Sequence, residues 1–198
     1  MSVNHFSIDD FTTPVQNGKS GDWFIDEIVV DEFLSARSKM SRNSLDWVEA
    51  GTYKRLVRIC DSGHHEVVMS NTRMEFLTNR GVVINARGKI LINGLGLGLI
   101  VNALLKKESV ESITVIEKSL DVINLVSPYF NDKRLKIVNC DAMLYKPSKD
   151  DFFDYVYHDI WPSVDPENIE SMKKLHRKYG KKCNNQSSWC RDYCEKMR

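Results

Sequence analysis

The sequence predicts an α/β protein: a doubly wound parallel sheet, C-terminally truncated, preceded by a small β-rich N-terminal extension. Three observations carry this. From residue 89 onward, short apolar strand-like runs alternate with helical patterns, and that alternation implies right-handed crossovers and a parallel sheet covered on both faces. Residues 90–98 read Ile-Leu-Ile-Asn-Gly-Leu-Gly-Leu-Gly and lead straight into the apolar stretch 99–105, so a buried strand, a glycine turn and a helix start follow one another. Before residue 87 the chain is instead β-branched and alternating, with turn residues between the runs.

In the N-terminal part, residues 12–22 are rich in turn formers and read as loop. Residues 24–33, 52–60 and 66–70 read as strands, and Asp61-Ser62-Gly63-His64 as the hairpin turn between the last two. Asn71 or Thr72 is placed to cap a helix over about 73–79. The second part reads as strand 89–93, helix 98–107, strand 112–117, helix 119–130, strand 134–139, strand 154–160 and helix 166–179. The expected division is therefore an extension with its linking helix over 1–86 and a ligand-binding domain with a basic tail over 87–198.

At 198 residues the chain is long enough for one well-cored domain with an appendage, and 42% apolar with 28% charged residues is an ordinary soluble composition. Its charge of +1 is unevenly spread: from Ser171 onward nine Lys/Arg face two Asp/Glu, so this tail carries +7 and the remainder −6. The run 173–182 is a candidate for phosphate contacts, but a solvated helix face with cations at its C-terminal end accounts for it, and nucleic acid is not the expected partner. No apolar run approaches a membrane span, and the first ten residues lack a secretory pattern. Five cysteines without framework spacing fit reduced thiols, and the expected location is cytoplasmic. Cys183, Cys190 and Cys194 near His176 lack a close Cys-x2-Cys pair, so no metal site is expected.

The glycine turn is the front end of a nucleotide-binding βα unit. Glycine there permits unusual dihedrals and lets the backbone approach a ligand, and ligands of such sheets bind beyond the carboxyl ends of the strands. Gly94, Gly96 and Gly98 are therefore candidate ligand-binding residues. Glu117 ends the second strand of this part, 23 positions after Gly94, where a carboxylate can accept from both ribose hydroxyls. Its plainer role is to cap the helix starting at Ser119. Asp141 follows the third strand and could take the exocyclic amine of adenine between Ala142 and Met143, or simply serve as an N-cap.

Spacing separates the ligand classes. A dinucleotide fingerprint needs glycine at position 99, which is Leu, and a P-loop needs Gly-Lys-Ser/Thr, which is absent. The G-x-G-x-G form, with an acid ending the next strand and an Asp after the third, resembles the class I S-adenosylmethionine-dependent methyltransferases. The apolar Ile90-Leu91-Ile92 before the loop and the segment Thr114-Val115-Ile116-Glu117-Lys118-Ser119-Leu120-Asp121-Val122-Ile123 are closer to their spermidine synthase-like branch. The likeness covers roughly residues 65–165.

The resemblance implies a Rossmann-like fold and S-adenosylmethionine as cofactor. Gly94, Gly96 and Gly98 would cradle its methionine part, Glu117 its ribose and Asp141 its adenine. In that branch a segment Phe-Asp-x-x-x-x-Asp supplies a carboxylate facing the substrate. Phe153-Asp154-Tyr155-Val156-Tyr157-His158-Asp159 matches it, which makes Asp159 the catalytic candidate, with Trp161 walling the substrate pocket. His158 alternates with Asp159 along the strand and reads as a core or surface histidine.

The resemblance also sets departures. The complete fold has seven strands, whereas 162–198 show one helical pattern and a polar basic tail without a convincing strand. A short sheet leaves an edge for an N-terminal strand or a partner chain to cover, so a homodimer is plausible on this reading. Aminopropyl-transfer members have an acidic polyamine pocket, and Asp154 with Asp159 does not complete one. The leading expectation is a methyltransferase acting on an unidentified small-molecule or protein acceptor. Aminopropyl transfer and a non-catalytic nucleoside-binding module are the alternatives.

Overall fold

The computed structural model describes residues 7–8, 11–41 and 46–198, and every structural statement refers to these residues. Two sheets organise them. The first is antiparallel, in the order β1 (Gly18–Ser20), β2 (Trp23–Val30), β3 (Gly51–Ile59), β4 (His65–Ser70). The helix α1 (Glu32–Ser38) follows β2, and α2 (Arg73–Asn85) follows β4. The second sheet is built from β5 (Gly88–Asn93), α3 (Leu99–Leu105), β6 (Val110–Glu117), α4 (Leu120–Val126), β7 (Leu135–Asn139), β8 (Phe153–His158), α5 (Asn168–Tyr179), β9 (Cys183–Ser188) and α6 (Arg191–Lys196). All its pairings are parallel, in the order β7-β6-β5-β8-β9. The order reverses at β5, and β5 carries the glycine turn. This is the doubly wound Rossmann-like arrangement that the sequence predicts.

The side-chain pattern explains why the sheet is buried on both faces. Ile90 and Ile92 point into one core cluster with Ile113, Val115 and residues of α3 and α4, while Leu91 between them joins Ile116, Val156, Leu175 and Tyr179 on the opposite face. A strand that is apolar at every position is what a sandwiched parallel sheet requires. The first cluster also takes in Val15, Ile25 and Leu56, so the antiparallel sheet packs onto the same core. Lys107 anchors the end of α2 by donating to the carbonyls of Val83, Ile84 and Ala86. No helix among the described residues is long and apolar enough to cross a membrane.

Helix α2 runs on to Asn85, past the expected end near 79, and α6 is a second helix where 162–198 read as one helical pattern; three strand readings differ as well. The loop reading of 12–22 misses the short strand β1. The strand expected over 24–33 stops at Val30, where Asp31 caps α1 by accepting from the Leu34 N–H at 2.7 Å, leaving Phe33 exposed. The third correction matters most: the segment after Pro162 does contain a strand, β9, paired in parallel with β8 from Phe153↔Cys183 to His158↔Ser188. Its sequence, Cys-Asn-Asn-Gln-Ser-Ser, has no apolar alternation because hydrogen bonds help to hold it in place. Ser187 Oγ pairs with Tyr155 Oη at 2.9 Å, Ser188 Oγ with His176 Nε2 at 2.9 Å, and the Gln186 amide donates to the His176 carbonyl at 3.0 Å.

His158 is a core histidine with no exposed surface. Asn93 Nδ2 donates to its Nδ1 at 2.7 Å, and its Nε2 faces Gln186 Oε1 at 3.3 Å. Burial pushes its pKa down to about 3, so the ring is neutral across the physiological range.

Candidate active site

The glycine turn takes its shape from the strands beside it. Gly94 N–H donates to Ile116 O at 2.8 Å, and the Asp159 N–H donates to Asn93 O at 2.8 Å, so the end of β5 is clamped between β6 and the segment leaving β8. Gly94 has φ +103°, and a Cβ there would run into the carbonyl oxygen of Asp159. Only glycine fits. Gly98, with φ +70°, packs on the Phe130 ring and starts α3. Over Gly96 lies Met69 from β4, whose sulfur also accepts from the Leu97 N–H at 3.2 Å.

Glu117 ends β6 beside this turn. One carboxylate oxygen accepts from the Leu95 N–H at 2.9 Å and the other from the Ser119 N–H at 2.8 Å. The plainer helix-start role is thus present, and it does not consume the group, because each oxygen keeps acceptor capacity for a hydroxyl. Burial raises the Glu117 pKa, and the N–H donors of Ser119, Leu95 and Lys118 oppose that rise. Asp141 lies just past β7, with one oxygen accepting from the Met143 N–H at 2.7 Å and the other 3.5 Å from Lys118 Nζ. The Asp141 segment is latched by Lys178, which donates to the carbonyls of Ala142 and Met143 at 2.8 and 2.9 Å. One cation of the basic run therefore has a local structural role.

Asp159 follows β8 directly. The surrounding protein raises its carboxyl to about 7 by desolvation, although the residue still borders the cleft. Trp161 is held in place by its indole N–H, which donates to Ser171 Oγ at 2.8 Å. Gly94, Gly96, Glu117, Asp141, Asp159 and Trp161 all line one cavity of about 620 Å³. Gly98 does not line it and acts instead in the turn. The cavity is large enough for a nucleoside-sized ligand.

The antiparallel sheet supplies a wall that the sequence reading did not foresee. Trp23, Leu56, Arg58, Glu66, Val68 and Met69 line the same cavity. Nothing in a hairpin pattern tells which of its residues will face a neighbouring sheet. Of the tail cysteines, Cys183 lies on β9, Cys190 just before α6 and Cys194 within it.

No protein-family model matches the chain. Two curated relatives are named polyamine aminopropyltransferase. The one from Leptospira interrogans serogroup Icterohaemorrhagiae serovar copenhageni is 35% identical over 98 residues, which is 44% of this chain and 19% of the relative. The one from Ruegeria sp. is 26% identical over 141 residues, 67% of this chain and 50% of the relative. The chain thus spans between about a fifth and a half of the length of these relatives. Among solved structures, the spermidine synthase from Thermotoga maritima matches with a TM-score of 0.46 at 18% identity, over 81% of this chain and 52% of the other. An S-adenosylmethionine-dependent methyltransferase from Mesorhizobium loti matches with a TM-score of 0.43 at 17% identity, over 55% and 48%. The chain therefore has a Rossmann-like parallel sheet, and part of its sequence is similar to two curated polyamine aminopropyltransferases.

Proposed function

We propose that the protein is an S-adenosylmethionine-dependent transferase, in the first instance a methyltransferase with a small-molecule or protein acceptor. The observation that carries this reading is the convergence of Gly94, Glu117, Asp141 and Asp159 on one cavity at the carboxyl ends of β5, β6, β7 and β8. The residues fit the cofactor by size and donor set. Gly94 and Gly96 leave backbone surface for the methionine part, with Gly98 shaping the turn; Glu117 offers two acceptor oxygens to the ribose; and Asp141 offers one to the adenine amine, with Ala142 and Met143 flanking the ring. When bound, the cofactor supplies a carbon activated by a sulfonium.

The remaining work falls to the chain. Asp159 orients the acceptor and takes its proton, which suits a carboxyl that titrates near neutrality. Trp161 walls the pocket and excludes water. A transfer of this kind depends mostly on holding two reactants in line, so one carboxylate suffices as catalytic group. The stretch from Gly94 to Gly98 carries no acidic side chain, which suits a ligand that ends in a carboxylate there and favours methyl transfer. The second reading, aminopropyl transfer to a polyamine, is favoured by the names of the two curated relatives.

Calorimetric titration with S-adenosylmethionine, its decarboxylated form and NAD tests both. Micromolar binding of the first is expected, weakened at least about tenfold in Glu117→Ala, which is about 1.4 kcal/mol. Tighter binding of the decarboxylated form would transfer the assignment to aminopropyl transfer. Absence of binding by all three would overturn the transferase reading.

A further inference from the structure

Beside the main cleft, sharing a wall with it, lies a second, smaller cavity of about 120 Å³. Asp159, Met69 and Trp161 line both cavities, and Glu75 and Trp189 line only the second. Glu75 sits in the first turn of α2 and is 3% exposed. Its Oε2 accepts from Asn79 Nδ2 at 2.9 Å, and Asn79 Oδ1 accepts from the Tyr157 hydroxyl at 2.7 Å. The amide is thereby fixed as a neutral donor to a buried carboxyl.

The titratable groups that face this pair are all acids. Tyr157 comes from β8 and Cys190 from the turn between β9 and α6, and burial keeps both protonated across the neutral range. Among the described residues, no Lys, Arg or His lines the second cavity. Two buried carboxylates without a cation between them are strongly unfavourable, so protons must neutralise the site at least in part. Asp159 keeps partial exposure and can be solvated, whereas Glu75 is almost wholly buried. The better solvated Asp159 therefore ionises first, and Glu75 keeps its proton.

We propose that Glu75 is a positioning residue for the transfer site: it holds its proton at neutral pH, so that Asp159 alone carries the negative charge met by the acceptor. This rests on the reading of Asp159 as the acceptor-facing carboxylate. Burial and then the charge of Asp159 raise the Glu75 pKa well above the ordinary value, against the opposing hydrogen bond from Asn79. The arrangement presents one negative charge rather than two, which matches an acceptor bringing a single ammonium or giving up a single proton.

The test is a carbon-13 NMR titration of side-chain carboxyls in the full chain, from about pH 5 to about pH 9, with Glu75→Gln and Asp159→Asn identifying the two signals. The Glu75 signal is expected to stay at its protonated position through neutral pH while the Asp159 signal moves. In Glu75→Gln, whose amide also donates, the Asp159 midpoint is expected to stay put or rise. A Glu75 signal already ionised at neutral pH overturns the proposal. So does a fall of the Asp159 midpoint by more than about half a unit in Glu75→Gln, the signature of losing a neighbouring charge. The wild-type titration decides alone should the variant misfold. Because no cofactor is added, this result is separate from the calorimetric one, which tests the transferase reading.

Discussion

Gly94→Ala is expected to abolish cofactor binding and to lower the stability of the fold by about 2–5 kcal/mol. Two costs add. Forcing a side chain into a positive-φ conformation costs about 1–2 kcal/mol, and overpacking a closed contact costs about 1–3 kcal/mol. At Gly94 the atom in the way is the Asp159 carbonyl oxygen, and its own peptide N–H is bonded to Asn93 O, so neither strand end can yield without breaking the clamp. The displacement would reach the cavity through Asp159 itself. The neighbouring glycines make internal controls. At Gly96 the new Cβ would meet the Met69 sulfur at 2.5 Å, the far part of a flexible side chain, and at Gly98 it would meet the Phe130 ring at 2.6 Å. Both obstacles are side chains with some freedom to shift, so these variants are expected to lose less stability than Gly94→Ala. Urea unfolding and calorimetric titration of the three variants measure the order. A Gly94→Ala protein that unfolds and binds like the wild type would show that the Asp159 segment moves freely, and the site geometry argued from it would fall.

The parts of the fold legible in the sequence are those whose burial is apolar. β5 announces itself because Ile90, Leu91 and Ile92 are all buried between helices, and the glycine turn because its conformations exclude side chains. Glu117, Asp141 and Asp159 were readable because a parallel sheet brings the carboxyl ends of its strands to one edge, so position along the chain becomes position in space. β9 was not readable, since its partners His176, Tyr155 and His158 satisfy it through hydrogen bonds that leave no periodic apolar trace. α1 left a local trace, the Asp31 cap, but the apolar Phe33 and Leu34 beside it extend the strand pattern of β2. Met69 and Glu75 lie before the glycine turn, on a hairpin strand and a linking helix. Their places at the two cavities follow from how the antiparallel sheet packs against the core of the parallel one, which no spacing rule within either segment encodes.

Asp159→Asn is expected to lose activity and gain stability, and the two changes have one cause. In the folded protein burial moves this carboxyl from 3.8 to about 7. Between those values the unfolded chain has released its proton while the folded chain still holds it. Stability therefore falls as pH rises through this window, and it levels off above about 7. The neutral amide removes that penalty. The variant should match the wild type near pH 4 and exceed it above pH 7, by about 1–3 kcal/mol once access of the carboxylate to the cleft is allowed for. Transfer should move the other way. A wild-type rate that depends on the ionised carboxylate rises through about pH 7, and Asn, which cannot take a proton, should lower it by about 10²–10⁴-fold with cofactor affinity unchanged. Denaturation midpoints at both pH values and turnover to S-adenosylhomocysteine across the range read the two effects. Equal stabilities at high pH would mean the carboxyl is well solvated in the fold, and turnover that survives in Asp159→Asn would remove it from the chemistry. A destabilised acid retained at the edge of a ligand cleft is the expected mark of a group kept for function, because an uncharged residue of the same shape would serve the fold better.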